Sequence, residues 1–144
     1  MRLELATVIS CGPDGCLVTP LADGPAIETR YSDLVKDRVK IRPGQLVAID
    51  QDPPVPEIAW RWYPARVVDA GEVVVTLQER ERQLNAARVP GLDISPRVGD
   101  TLLVTGMAGT WEIHDRVVDG RPVDPSQMSE KILPRVAKVL EQSR

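Results

Sequence analysis

The sequence predicts an all-β protein made of two tandem small barrels followed by a C-terminal helix. Three observations lead to this prediction. Turn-forming dipeptides recur along the chain with short β-branched stretches between them, the first half of the chain resembles the second, and the hydrophobic period becomes helical near residue 124. The absence of Phe and the abundance of Val and Pro also favour short strands over long helices.

The composition excludes several classes of protein. The chain has 144 residues, 18 Lys and Arg against 21 Asp and Glu, and a net charge of −3. Hydrophobic residues make up 42 % and charged residues 27 %, which excludes wholesale disorder. The acidic balance excludes a nucleic-acid binder that works by bulk positive charge. No apolar run approaches the roughly 20 residues of a membrane-spanning helix.

The chain begins with a predicted strand and a tight hairpin. The apolar stretch from Leu5 to Ile9 is shorter than the core of a signal peptide, so we expect a cytoplasmic protein. Pro13-Asp14-Gly15 predicts a turn that places Cys11 and Cys16 opposite each other. One His and two Cys cannot complete a four-ligand zinc site within one copy, so we expect no metal. We predict that both thiols are reduced and structural; a redox pair is the alternative.

An internal duplication organises the first 119 residues. Each half reads as strand, turn, strand, polar connection, glycine turn and strand. The matching segments are Ala6-Thr7-Val8-Ile9 with Ala65-Arg66-Val67-Val68 at an offset of 59, Leu17-Val18-Thr19 with Val74-Val75-Thr76 at 57, and Leu46-Val47-Ala48-Ile49 with Thr101-Leu102-Leu103-Val104 at 55. We therefore predict a first barrel over 1–51, a proline-rich linker over 52–57 and a second barrel over 58–123.

The last segment, 124–144, is predicted to be an amphipathic helix. Asp124 is a suitable N-cap and Pro125 suits the first helical position. Met128, Ile132, Val136 and Leu140 recur every four residues and form an apolar stripe, which Pro134 should kink or divide. The stripe could dock on the barrels or bind a partner.

The densest cluster of unusual residues surrounds Trp60 and Trp62. In a strand, these two side chains share one face and Arg61 and Tyr63 share the other. We predict that the tryptophans face the core and that Arg61 and Tyr63 contribute to a binding face. Arg66, in the same strand, and Trp111, the third tryptophan, complete the predicted partner-binding set.

Two resemblances accompany these residues. Trp62-Tyr63-Pro64-Ala65-Arg66-Val67-Val68 followed by Glu72-Val73-Val74-Val75 resembles the opening strands of Tudor and PWWP domains. Those domains are SH3-like barrels that bind peptides through aromatic residues, and the likeness implies the barrel for this chain but not the ligand. Arg97-Val98-Gly99-Asp100-Thr101-Leu102-Leu103-Val104 and Ala108-Gly109-Thr110-Trp111-Glu112-Ile113 are similar to the paired OB domains of proteasomal ATPases. That likeness implies a ring or docking platform without the motor. SH3-like and OB-like topologies both stay open.

The leading functional prediction is a non-enzymatic protein-binding or assembly module, which recognises a protein partner or a second copy of itself. The sole histidine, His114, stands beside Asp115, but adjacent strand residues point to opposite faces. The chain has no Gly-x-Ser-x-Gly elbow and no phosphate loop, so we expect neither catalysis nor a cofactor. The alternative is a nucleic-acid-associated factor. It requires the arginines to gather on one face, namely Arg30, Arg61, Arg66, Arg80, Arg82 and Arg88.

Overall fold

The computed structural model describes residues 1–33, 35, 41–78, 81–107 and 109–143. Strands form two sheets, and one short helical region lies near the C-terminus, which confirms the predicted fold class. The chain divides into two compact units. The first contains Met1–Arg61 and Leu133–Gln142, and the second contains Trp62–Ile132.

The first unit is built on a six-stranded mixed sheet. Its strands are β1 Leu3–Cys11, β2 Cys16–Pro20, β3 Ile27–Glu28, β4 Arg30–Tyr31, β5 Leu46–Asp50 and β6 Glu57–Arg61, in the order β3-β2-β1-β5-β6-β4. All pairs are antiparallel except β4 with β6, which is parallel. Only Thr29 separates β3 from β4, so the two edges of the sheet are consecutive pieces of chain and the sheet is nearly barrel-shaped.

Alternating side chains of these strands fill the core of the first unit. Successive residues of a strand point to opposite faces, so every second apolar residue reaches the interior. The buried cluster contains Ala6, Val8, Cys16, Val18, Val35, Ile41, Val47, Ile49 and Ile58, with Ile27 and Tyr31 packed against it.

The second unit has its own mixed sheet. Its strands are β7 Tyr63–Asp69, β8 Val74–Leu77, β9 Gln83–Asn85, β10 Ala87–Arg88, β11 Thr101–Met107, β12 Thr110–Val118 and β13 Arg121–Pro122. The order is β10-β12-β11-β7-β8-β9, with β13 paired to β12 through a turn at Asp119 and Gly120, both at positive φ. The buried cluster contains Ala65, Val67, Val73, Val75, Leu77, Ala86, Leu102, Val104 and Ile113.

The two sheets have the same strand order and register. If β7 to β12 replace β1 to β6, the first strand order becomes the second order read from its other edge. The parallel pair of β4 and β6 then corresponds to the parallel pair of β10 and β12. Thr7 pairs with Leu46 in the first sheet, and Arg66 pairs with Thr101 in the second. These partners differ by the offsets of 59 and 55 found in the sequence.

The boundary between the units differs from the prediction. The strand Glu57–Arg61 pairs with β5 in the first sheet, and the second unit begins at Trp62. The predicted division placed 58–61 in the second barrel. The prolines at 53, 54 and 56 therefore precede the last strand of the first sheet and do not separate the two sheets.

The C-terminal region is helical over three successive segments. They are α1 Pro125–Gln127, a π-helical turn at Met128–Ile132, and α2 Leu133–Gln142. Asp124 caps the start, because its Oδ1 accepts a hydrogen bond from the Gln127 N–H at 3.0 Å. Pro134 has no N–H to donate to the carbonyl four residues earlier, which accounts for the irregular turn just before it.

All four members of the predicted apolar stripe are buried: Met128, Ile132, Val136 and Leu140. Within the first unit, α2 lies against β1, and within the second unit the π-helical turn lies against β12. The stripe is therefore packed inside the protein. In the part of the chain that the structure describes, no helix has the length and apolar character needed to span a bilayer.

Candidate functional site

Two half-buried aromatic side chains form a surface pair at the end of the second core. Tyr63 and Trp111 meet edge to face, with ring centroids 5.6 Å apart and ring planes inclined by 75°. Both pack against the buried cluster of the second sheet. Each therefore has one side anchored in the core and another side open to solvent, the arrangement in which an aromatic ring can serve as a binding surface.

Strand alternation explains this placement. Tyr63 lies on the same face of β7 as the buried Ala65 and Val67, and Trp111 lies on the same face of β12 as Ile113. Tyr63 pairs with Val104 of β11, and Trp111 pairs with Gly106 of the same strand. The two rings consequently approach each other across β11.

Gly106 leaves open space beside the aromatic pair. The residue is exposed, and a Cβ built on it would meet no other atom within 4 Å. Its backbone is not in the positive-φ region, so other residues can occupy the position. We call the surface formed by Tyr63, Gly106 and Trp111 the aromatic face.

The other two predicted site residues are not part of this face. Arg66 is exposed, but it is three positions from Tyr63 in β7 and so points to the opposite side of the sheet. Arg61 belongs to the first unit and donates a hydrogen bond to Gln45 Oε1 at 3.2 Å. Of the four predicted residues, the structure brings together only Tyr63 and Trp111.

The predicted faces of the segment from Trp60 to Tyr63 were wrong in part. Trp62 is fully buried, as expected, but Arg61 is only 6 % exposed and Trp60 is half-buried. The prediction assumed one continuous strand. The chain instead leaves β6 at Arg61 and enters β7 at Tyr63, and a register shift in the pairing of β5 with β6 between Ala48 and Ile49 breaks the alternation just before Trp60.

A buried polar chain lies behind the aromatic face in the second unit. Trp62 Nε1 donates to His114 Nδ1 at 2.8 Å, and His114 Nε2 lies 3.0 Å from Glu112 Oε1. Because Nδ1 accepts from the indole, the neutral ring carries its proton on Nε2 and donates it to the carboxylate. His114 sits where the pairing of β11 with β12 shifts by one residue, which re-aims its side chain.

Sequence reasoning missed this buried chain. It treated His114 through its neighbour Asp115, whereas the histidine's partners are two residues upstream and 52 positions away. The register shift that places them together depends on strand pairing, which no local pattern of the sequence reveals. Only the period-two separation of Glu112 and His114 could have suggested a shared face.

Asp115 ties the sheet of the second unit to the start of the helix. Its Oδ1 accepts the Arg116 N–H at 2.8 Å, and its Oδ2 accepts the Asp124 N–H at 2.9 Å. Burial raises the pKa of this carboxyl group, although the two backbone hydrogen bonds oppose the change. The residue therefore fixes the N-cap position and has a structural role.

The cysteine pair also differs from the prediction. Cys11 and Cys16 pair across the hairpin of β1 and β2, as expected, but they form a disulfide and not two reduced thiols. Because the two residues occupy facing positions of adjacent strands, their side chains are close enough to bond.

A pocket of about 360 Å³ opens beside this hairpin in the first unit, lined by Pro13, Asp14, Arg30 and Tyr31. The Tyr31 hydroxyl donates to the Gly12 carbonyl at 3.1 Å and lies 3.4 Å from Cys16 Sγ. Burial raises the pKa of the Tyr31 hydroxyl above its ordinary value.

The arginines that the nucleic-acid alternative requires are divided between the two units. Arg30, in the first unit, and Arg66, Arg82 and Arg88, in the second, are exposed, whereas Arg61 is buried. Arg80 lies outside the described residues.

No protein-family model matches the chain, and no curated protein matches its sequence significantly.

Proposed function

We propose that the protein is a non-enzymatic protein-binding or assembly module that contacts its partner through the aromatic face. The observation that carries this proposal is the edge-to-face pair of Tyr63 and Trp111, half-exposed beside the open position of Gly106. Tyrosine and tryptophan are enriched among the residues that dominate binding energy, particularly where the surrounding surface holds them rigidly. Packing against the second core supplies that rigidity.

The strand connectivity supports OB-type barrels in preference to SH3-like ones. If β3 and β4 count as one strand interrupted at Thr29, the first sheet has five strands, and its fourth strand returns to pair with its first. This is a five-stranded Greek-key order, as in the OB fold. The second sheet has the same order when β9 and β10 are joined across Ala86.

The shared register supports an internal duplication. Strand order alone could agree between unrelated small barrels, but here paired residues, both register shifts and the parallel closure recur at the same positions of both sheets. We therefore infer one ancestral barrel unit that was copied within the chain, after which the second copy gained the aromatic face.

The surroundings of His114 support a non-enzymatic role. A general base must reach a substrate proton, but this ring is fully buried and both nitrogens face other side chains of the protein, Trp62 and Glu112.

Cytoplasmic localisation stays a prediction.

Substitutions at the aromatic face test the proposal. Trp111→Ala removes the ring, whereas Gly106→Val keeps both rings and fills the space beside them. Val98→Ala is a matched control, because Val98 is an exposed apolar residue of the same unit that does not belong to the aromatic face. We expect the first two variants to fold and to lose partner binding or self-association, measured by pull-down from the native cell and by sedimentation velocity. Unchanged binding by folded Gly106→Val would contradict the proposal.

A second candidate function is single-strand nucleic-acid binding, which the OB-type connectivity and the exposed arginines Arg66, Arg82 and Arg88 of the second unit favour. OB barrels often bind single strands with stacking aromatics and basic grooves. Fluorescence anisotropy with labelled oligonucleotides at several salt concentrations separates the candidates. Affinity that falls with salt and with Arg66→Glu would favour this second function.

A further inference from the structure

The hairpins of the two sheets are equivalent in register but are closed in different ways. In the first, Cys11 and Cys16 are joined by a disulfide. In the second, the Asp69 carboxylate accepts hydrogen bonds from the Gly71 and Glu72 N–H groups at 2.9 and 3.4 Å. The same strand pairing thus forms without a covalent link. The architecture itself does not explain the disulfide.

The disulfide hairpin is closely connected to β4. The Tyr31 N–H donates to the Asp14 carbonyl at 2.9 Å, and the Thr29 N–H and hydroxyl both donate to the Cys16 carbonyl. A Cβ built on Gly15 would overlap the Thr29 carbonyl, so the loop lies directly on the junction of β3 and β4. A change in the loop must therefore displace Thr29 and Tyr31.

The pocket lies between these two connected elements. Pro13 and Asp14 come from the loop, and Arg30 and Tyr31 come from β4. Tyr31 also contacts both ends of the disulfide hairpin, through the Gly12 carbonyl and Cys16 Sγ. We propose that the Cys11–Cys16 pair is a reversible thiol–disulfide switch that sets the position of the loop against β4 and thereby the shape of this pocket.

The chemistry is a two-electron thiol–disulfide exchange. Cys11 is exposed and Cys16 is buried, so a thiolate of a dithiol reductant attacks Cys11 Sγ. A mixed disulfide forms, and Cys16 Sγ leaves as a thiolate next to the Tyr31 hydroxyl, then takes a proton. The second thiol of the reductant attacks the mixed disulfide, which releases the Cys11 thiol and the oxidised reductant. A disulfide oxidant, such as glutathione disulfide, reverses both steps.

Amide hydrogen exchange of the full chain tests the switch. The oxidised protein, the protein reduced with excess dithiothreitol, and the double variant Cys11→Ser with Cys16→Ser are compared, and alkylation followed by mass spectrometry verifies the thiol state. We expect the amide protection of Thr29 and Tyr31 to fall about tenfold or more in the reduced protein and in the double variant. Ala86, whose N–H donates to the Val73 carbonyl at 3.0 Å as that of Thr29 does to the Cys16 carbonyl, should keep its protection, and glutathione disulfide should restore the oxidised pattern.

Three results would overturn the proposal. The first is unchanged protection at Thr29 and Tyr31 in protein verified as fully reduced. The second is loss of protection throughout both units, since the disulfide would then be a structural staple and not a local switch. The third is failure of the reduced protein to form the disulfide again with glutathione disulfide.

Discussion

Replacement of Trp62 by Phe should destabilise the protein because it removes one buried hydrogen bond. The indole is fully buried and donates to His114 Nδ1 at 2.8 Å. Loss of a buried hydrogen bond while the acceptor remains costs about 1–3 kcal/mol. The smaller ring also leaves unfilled volume, which adds about 1 kcal/mol. We therefore expect a total loss of about 2–4 kcal/mol in the free energy of unfolding.

Trp60 provides a matched control for the same chemical change. It is half-buried, and its Nε1 is buried without a hydrogen-bond partner among the described residues. Trp60→Phe removes a donor that has no acceptor, so it should be nearly neutral, within about 0.5 kcal/mol. Trp62→Ala, by contrast, should cost about 3–5 kcal/mol and could prevent folding.

Far-UV circular dichroism measures these differences during urea and thermal denaturation. For a chain of this length, the loss predicted for Trp62→Phe lowers the melting temperature by about 6–12 °C. A Trp62→Phe protein that melts at the same temperature as the wild type, or a Trp60→Phe protein that is destabilised as strongly, would show that the hydrogen bond to His114 does not stabilise the fold. The buried chain of Trp62, His114 and Glu112 would then contribute nothing to the stability of the second unit.

Three further predictions follow from single side chains. Burial raises the pKa of Asp115 above its ordinary value of 3.8, so folding favours the protonated form of this group. The stability that the group contributes is therefore fully present below pH 3.8 and is lost as the pH rises through the folded pKa. The stability of Asp115→Asn should therefore increase relative to that of the wild type as the pH rises through this range. A difference between their urea midpoints that does not change with pH would contradict this. Asp124→Ala should cost about 1 kcal/mol through loss of the helix cap, whereas the exposed Ser126→Ala should cost less than about 0.5 kcal/mol; equal melting temperatures would argue against the cap. Gly15→Ala should cost about 3 kcal/mol or more because its Cβ would overlap the Thr29 carbonyl, while Gly12→Ala, with no atom closer than 4.0 Å, should be tolerated; the reverse ranking in chemical denaturation would disprove the close packing of the loop.

The sequence predicted features that depend on local patterns. Alternating Val and Ala residues marked β1 and β7. The cap at Asp124 and the buried stripe that begins at Met128 were equally visible, because capping and helical periodicity involve residues only three or four positions apart.

The features that the sequence did not predict depend on pairing between distant residues. The strand Glu57–Arg61 belongs to the first sheet because it pairs with β5, and nothing in its composition distinguishes that sheet from the second. The register shifts before Trp60 and at His114 interrupt the strand alternation on which the predicted faces depended, since one additional residue exchanges inside and outside. The oxidation state of Cys11 and Cys16 is a matter of chemistry and environment as well as spacing.

Two of the four predicted site residues lie together in the structure. Tyr63 and Trp111 are 48 positions apart, yet they meet because each begins an alternating run that leads into the same core. Arg61 was included because one continuous strand would place it on the same face as Tyr63, and Arg66 because it lies in the same strand. That criterion failed because Arg61 is the last residue of β6 in the first sheet, and because Arg66 points away from Tyr63.

Photo-crosslinking from position 106 shows directly whether the aromatic face contacts a partner protein. A benzophenone amino acid in place of Gly106 would project from the aromatic face into open space. In the native cell, we expect a covalent adduct with a polypeptide, either another protein or a second copy of this chain, that disappears when Trp111→Ala is added. An adduct only with nucleic acid, or a polypeptide adduct that persists without the Trp111 ring, would rule out protein binding through the aromatic face.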